Sequence, residues 1–201
     1  MDIALLNLYV SLTIKLFFLV TPFFVISVFL SMTEHMTTVE QRRVATRTTI
    51  SVAIISLVLY FAGNPIFATL GITLDGFRIG AGSLLFLSAV TMVSGKRSTQ
   101  EVPPDADFAV VPLAIPITVG PATIGGLLIL GAELGGIAER IVGTAALLSA
   151  CLSVGALLFS ARVLKKVLGT VGLSIMTKIT GLVLSAMSAQ IVFTGVKNFL
   201  G

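Results

Sequence analysis

Six mainly apolar stretches alternate with short polar segments along the chain. They run over Leu6–Thr33, Thr48–Leu70, Phe77–Ser94, Phe108–Ala132, Ile141–Ala161 and Leu173–Leu200, with gaps such as EHMTTVEQRRVATR and GKRSTQEVPPDAD between them. A helix of about 20 residues spans a hydrocarbon core of about 30 Å, so each stretch is long enough to cross a bilayer. The pattern predicts an all-α membrane protein with six transmembrane helices. The segment carrying Pro103 and Pro104 side by side reads as a linker. It divides one membrane domain into a first three-helix repeat (1–95), a cytoplasmic linker (96–107) and a second three-helix repeat (108–201).

Sliding the chain on itself by about 99–100 residues brings LVTPFF around Pro22 onto TVGPAT around Pro121, and FRIGAGSLLF around Arg78 onto TKITGLVLSA around Lys178. With three spans in each half, the halves must enter the membrane from opposite sides, which predicts two inverted repeats. Arg78 and Lys178 are expected to snorkel to the interface or to cap a neighbouring helix.

Prolines interrupt the pattern at matching places. The fourth span contains VPLAIPITVGPATIGG, and the first contains Thr21-Pro22. Proline removes a backbone hydrogen bond and clashes with the preceding turn, so both helices should break. Irregular backbone survives at membrane depth only when buried in protein or lining a cavity, and paired breaks in two halves point to a midplane site. Beyond Pro121 the N–H groups of Ala122, Thr123 and Ile124 are expected to lack intrahelical partners and to suit a carboxylate. The carbonyls of Ile117 and Thr118, before the break, would suit an ammonium group. The candidate substrate-binding residues are therefore Thr21, Pro22, Thr118, Gly120, Pro121, Ala122 and Thr123, around a small zwitterionic solute.

In the sixth span Gly181, Ser185 and Ala189 form a small-residue stripe suited to close helix packing. Gln190 beside it is either an interhelical hydrogen-bond donor or secondary lining of the site. Cys151 reads as a small buried hydrophobe.

Composition narrows the chemistry. Of 201 residues, 56% are hydrophobic and 11% charged, against about 25% charged in soluble domains. One His, one Cys and no Trp leave no His/Cys metal cluster and no disulfide framework, and no phosphate-cradling glycine loop is present. No metal or other cofactor is implied. All nine acids fall in loops or at span ends, so recognition at depth is expected to come from backbone and hydroxyl groups. An enzyme is disfavoured for the same reason.

The net charge of +4 does not imply nucleic acid, because the basic residues are scattered between apolar runs. Arg42, Arg43, Arg47, Lys96, Arg97, Arg162, Lys165 and Lys166 lie in odd-numbered loops, whereas Arg78, Arg140 and Lys197 lie on the other side. Positive charge favours the cytoplasm, so both termini are expected on the periplasmic or extracellular side. The segment MDIALLNLYV lacks the basic start and cleavage site of a secretory signal and reads as part of the first span.

The stretch EVPPDADFAVVPLAIPITVGPATI resembles a characteristic segment of the MarC family of integral membrane proteins, which includes small neutral amino acid transporters. FLSMTEHMTTVEQRRVATR, FRIGAGSLLFLSAVTMV and ITGLVLSAMSAQIVFTGVKN extend the resemblance over nearly the whole chain. It implies six spans in inverted halves, with breaks in the first and fourth. Where that family usually has N/D-P-x-G-x-x-P in its first span, this chain has Thr21-Pro22-Phe23-Phe24-Val25-Ile26-Ser27. Phe24 in place of Gly is expected to reshape the cavity.

These readings lead to a secondary transporter or exporter of small neutral amino acids, or similar small polar metabolites, in a bacterial-type inner membrane. The alternative is a non-transporting membrane scaffold or regulatory subunit. The bilayer is the one partner the pattern requires; a homo-oligomer is compatible with it.

Overall fold

A computed structural model describes residues 3–95 and 113–201, with backbone alone at Pro116. The expected linker at 96–107, and the first residues of the expected fourth span, lie outside the described residues. Most of those described are helical, and they include no strand. In chain order the helices are α1 (Ile3–Leu19), α2 (Pro22–Met32), α3 (Thr38–Leu70), α4 (Leu74–Ser94), a wide π-type turn (Leu113–Thr118), α5 (Pro121–Glu133), α6 (Ile137–Phe159) and α7 (Ala161–Leu200). Among the described residues, five candidate spans are long and apolar enough to cross a membrane: α1 with α2, α3, α4, α6 and α7. The fourth of the six expected spans is represented by the π-type turn and the 13-residue α5.

Two helices start well before the apolar pattern suggests. α3 starts at Thr38 because Thr37 and Glu40 form a capping box: the Thr37 N–H donates to Glu40 Oε2 at 2.8 Å, and the Glu40 N–H donates to Thr37 Oγ1 at 3.3 Å. The first turns of α3 therefore carry Arg42, Arg43 and Arg47. α7 starts at Ala161, so the basic stretch with Arg162, Lys165 and Lys166 is helical rather than a loop. Gly169, at φ 65° and ψ 179°, interrupts α7 just beyond it.

Helix packing depends on glycines that let backbones approach. A methyl on Gly131 of α5 would lie 1.7 Å from the Tyr60 carbonyl oxygen of α3, and one on Gly63 of α3 would lie 2.4 Å from the Leu128 carbonyl oxygen of α5. α4 and α7 lie antiparallel: a methyl on Gly82 would lie 2.7 Å from Val192 Cγ2, and one on Gly181 would lie 2.9 Å from Val93 Cγ2. Without a hydrophobic drive between helices in lipid, such close contact is a main source of association. The buried stripe of α7 runs through Gly181, Leu184, Ser188 and Gly195, whereas Ala189 is exposed and Ser185 only half-buried. The expected i, i+4, i+8 stripe is thus corrected to a spacing close to the heptad, which keeps the seam facing a nearly antiparallel neighbour.

Large apolar side chains cover the outside, including Ile54, Val58, Leu87, Leu182 and Phe193. On a membrane protein this is the lipid-facing surface. Polar clusters tie the two ends of the bundle. At one, Arg78 pairs with Asp75 of its own helix and with Glu133, whose Oε1 is 2.7 Å from Nη2. At the other, Arg162 donates to the Met36 carbonyl and to Thr38 Oγ1, both at 2.6 Å, and Lys165 Nζ stands 4.0 Å from Glu34.

Candidate functional site

Each proline-led helix begins at a break. α1 ends with the Val20 N–H donating to the Leu16 carbonyl at 3.0 Å and the Thr21 N–H donating to the Phe18 carbonyl at 2.9 Å. Thr21 then turns into the left-handed region, φ 52° and ψ 55°, and Pro22 opens α2. Thr21 is the one described non-glycine residue with positive φ. A β-branched side chain is strained there, at a cost of about 1–3 kcal/mol.

The second break is built differently. Ile115 is extended within the π-type turn, at φ −127° and ψ 129°, and the Val119 N–H reaches back to the Ala114 carbonyl at 2.8 Å. Thr118 Oγ1 donates to the Leu113 carbonyl at 2.7 Å. Gly120 is extended, at φ −84° and ψ 178°, and Pro121 opens α5. Both new helices begin with the same bond: the Val25 N–H donates to the Thr21 carbonyl at 3.1 Å, and the Ile124 N–H donates to the Gly120 carbonyl at 2.9 Å.

That second bond corrects one expectation. Ile124 does not present a free N–H, because a residue preceding a helix contributes its carbonyl to the first helical bond. The N–H groups without an intrahelical partner are those of Ala122 and Thr123 in α5, and of Phe23 and Phe24 in α2, the prolines having none. Their partial positive charge is concentrated at the breaks.

The breaks meet. Thr123 Oγ1 stands 3.1 Å from the Leu19 carbonyl oxygen at the end of α1 and 3.3 Å from the Thr118 carbonyl oxygen, so its one proton is shared between the two. Thr21, Pro22, Thr118, Ala122 and Thr123 are buried, Gly120 is half-buried and Pro121 is exposed. A methyl on Gly126 would lie 2.7 Å from Leu19 Cδ2, which brings the second turn of α5 against the end of α1. Gln190 is exposed on α7, where its backbone carbonyl accepts from Thr194 Oγ1 at 2.8 Å. Cys151 is buried.

Lys15 is a charged group that the expectation of an uncharged membrane core passes over. It stands on the exposed face of α1 in line with Asn7 and Ser11, about 9 Å of helix before the break. Its signal in the sequence is a lone lysine inside VSLTIKLFFLV. Of the two fates expected for Arg78, snorkelling or capping a neighbouring helix, its 12% exposed side chain lies nearer the second, held between Asp75 of its own helix and Glu133, the last residue of α5. Lys178 is exposed.

Comparison with known proteins gives a consistent family. The model of the MarC family of integral membrane proteins matches residues 6–200. The UPF0056 membrane protein YhcE of Escherichia coli (strain K12) is 33% identical over 198 residues, covering 94% of this chain and 92% of that protein. The UPF0056 membrane protein MJ0972 of Methanocaldococcus jannaschii is 32% identical over 204 residues, covering 98% and 89%. One from Pyrococcus abyssi, PYRAB13050, is 28% identical over 203 residues and covers 99% of both. No solved structure matches the chain.

Proposed function

The chain belongs to the MarC family of integral membrane proteins, and from the joined helix breaks we propose that it is a secondary transporter or exporter of small neutral amino acids or similar small polar metabolites. The observation that carries this reading is the Thr123 contact with the Leu19 carbonyl, which links two proline-led breaks from distant parts of the sequence. The two half-helix N-termini are then brought toward one another through the end of α1. Their N–H groups at Phe23, Phe24, Ala122 and Thr123 would hold a carboxylate, and carbonyls ending the preceding segments would hold an ammonium group. Thr21 and Thr118 complete a polar lining, with Gly120, Pro121 and Ala122 leaving room for a small side chain beside Pro22.

Two inverted halves, 1–95 and 108–201 joined by 96–107, supply the moving parts. This division is supported by contacts that exchange under a shift of about 99 residues: Gly82 with Val192 and Val93 with Gly181. The first bonds of α2 and α5 obey the same shift. Alternating access would rock one half against the other around the breaks. We place the protein in a bacterial-type inner membrane with both termini on the outer side; a C-terminal reporter active only in the cytoplasm should be silent.

The direct test is uptake of labelled glycine, alanine or serine by liposomes carrying the purified protein. Gly120→Leu should abolish uptake while leaving a folded, monodisperse protein. Equal flux with and without the substitution would overturn the site. Stabilisation of the purified protein by one of these amino acids in a thermal-shift screen is expected to accompany flux, through mass action.

A further inference from the structure

Each half-helix leads from its break to a glutamate. Glu133 is the last residue of α5, and Glu34 stands just past the end of α2. These acids are separated by the same interval, about 99 residues, as Pro22 and Pro121. Both meet a basic side chain from the other half of the chain. Glu133 Oε1 accepts from Arg78 Nη2 at 2.7 Å and from Nε at 3.2 Å, and Glu34 Oε1 lies 4.0 Å from Lys165 Nζ. Arg78 is near the start of α4 and Lys165 near the start of α7. Because those two helices are antiparallel, the pairs stand at opposite ends of the bundle.

The surroundings of each pair suit reversible release. Arg78 also pairs with Asp75 of its own helix, and Asp75 accepts from Asn198 of α7 at 3.3 Å. If Glu133 leaves, Arg78 keeps a carboxylate, which avoids the large cost of stranding a charge. At the other end Arg162 adds bonds to the Met36 carbonyl and Thr38 Oγ1. Arg162 and Lys165 belong to the short part of α7 before Gly169, whose positive φ and open surroundings provide a pivot.

We propose that Glu133 with Arg78, and Glu34 with Lys165, are matched latches that seal the helix breaks from the two ends of the bundle. Release of one at a time opens the breaks to one side of the membrane. This rests on the transport reading above, with the break between the two latches as the site they guard.

The test reads access to the break directly. Ala122→Cys, in a Cys151→Ala background, is exposed to a membrane-impermeant maleimide applied to each face of sealed vesicles in turn. Labelling should be slow from both faces. Glu133→Gln should raise it about tenfold from the Glu133 face alone, the ratio change that corresponds to about 1.4 kcal/mol. Glu34→Gln should raise it from the opposite face alone. Arg78→Lys, which keeps the charge but loses the two-nitrogen grip, should be intermediate and guards against misfolding of the Glu133 variant. A rise from both faces, a rise from the wrong face, or unchanged labelling in Glu133→Gln and Arg78→Lys would overturn the latches. Amino acid flux with unchanged labelling overturns the latches and leaves transport standing. The predicted labelling without flux of any neutral amino acid leaves the latches standing and overturns the substrate reading.

Discussion

The hydroxyl of Thr123, in the first turn of α5, shares its proton between the Leu19 carbonyl that ends α1 and the Thr118 carbonyl that precedes its own helix. One side chain thereby serves both breaks. Thr123→Val keeps the shape but leaves two buried carbonyls without this donor, and should lower stability by about 1–3 kcal/mol. Thr123→Ser should retain most of it. Thermal unfolding of the purified proteins checks this, and equal melting of the Val and Ser variants would show that the bond contributes nothing.

Thr21 adopts a left-handed conformation that disfavours β-branched residues. The related family usually carries Asn or Asp at this position, and those residues tolerate that region through local hydrogen bonding. Thr21→Asn is therefore expected to raise stability by about 0.5–1 kcal/mol relative to the native chain. A melting temperature at or below that of the native protein would mean that Thr21 is held by contacts worth more than its strain.

Both breaks were legible in the sequence because proline acts locally: Pro22 and Pro121 open their helices whatever lies around them. The first turn of α5 was less legible. A free N–H at Ile124 follows from placing the helix start one residue late, whereas Gly120 contributes its carbonyl from outside the helix. The early start of α3 is encoded in Thr37 and Glu40, but a hydropathy pattern is blind to a capping box. Long-range pairings such as Arg78 with Glu133 were not legible, since both residues sit at span ends with several basic or acidic groups as equally plausible partners. Lys15 was visible as a residue, yet its exposed position depends on which face of α1 packs inward.

α3 and α5 approach through Gly131, where any side chain would collide with the Tyr60 backbone rather than with a flexible group. Gly131→Ala should therefore push the helices apart and destabilise the protein by about 1–3 kcal/mol or more, the usual range for overpacking. Gly135, four positions past the close approach and in the turn between α5 and α6, has nothing within 4 Å of an added methyl. Gly135→Ala should stay within about 0.5 kcal/mol of the native stability. Comparable losses in the two variants, read from thermal melts and recovery after detergent extraction, would contradict the close packing of α3 on α5.

The exchanged contacts of α4 and α7 make a sharper demand. Gly82 abuts Val192 and Gly181 abuts Val93, at 2.7 Å and 2.9 Å from an added methyl. If the halves are equivalent, Gly82→Val and Gly181→Val should each destabilise the protein, with losses within about 1 kcal/mol of each other. The two contacts share no neighbour and lie roughly 16 Å apart along α4, so the double variant should match the sum of the single losses within about 0.5 kcal/mol. Gly80→Ala, with nothing within 4 Å of its methyl, is the matched control on α4 and should be nearly silent. A severe loss at Gly82 with none at Gly181 would break the equivalence of the two contacts, and with it the strongest packing support for two inverted halves.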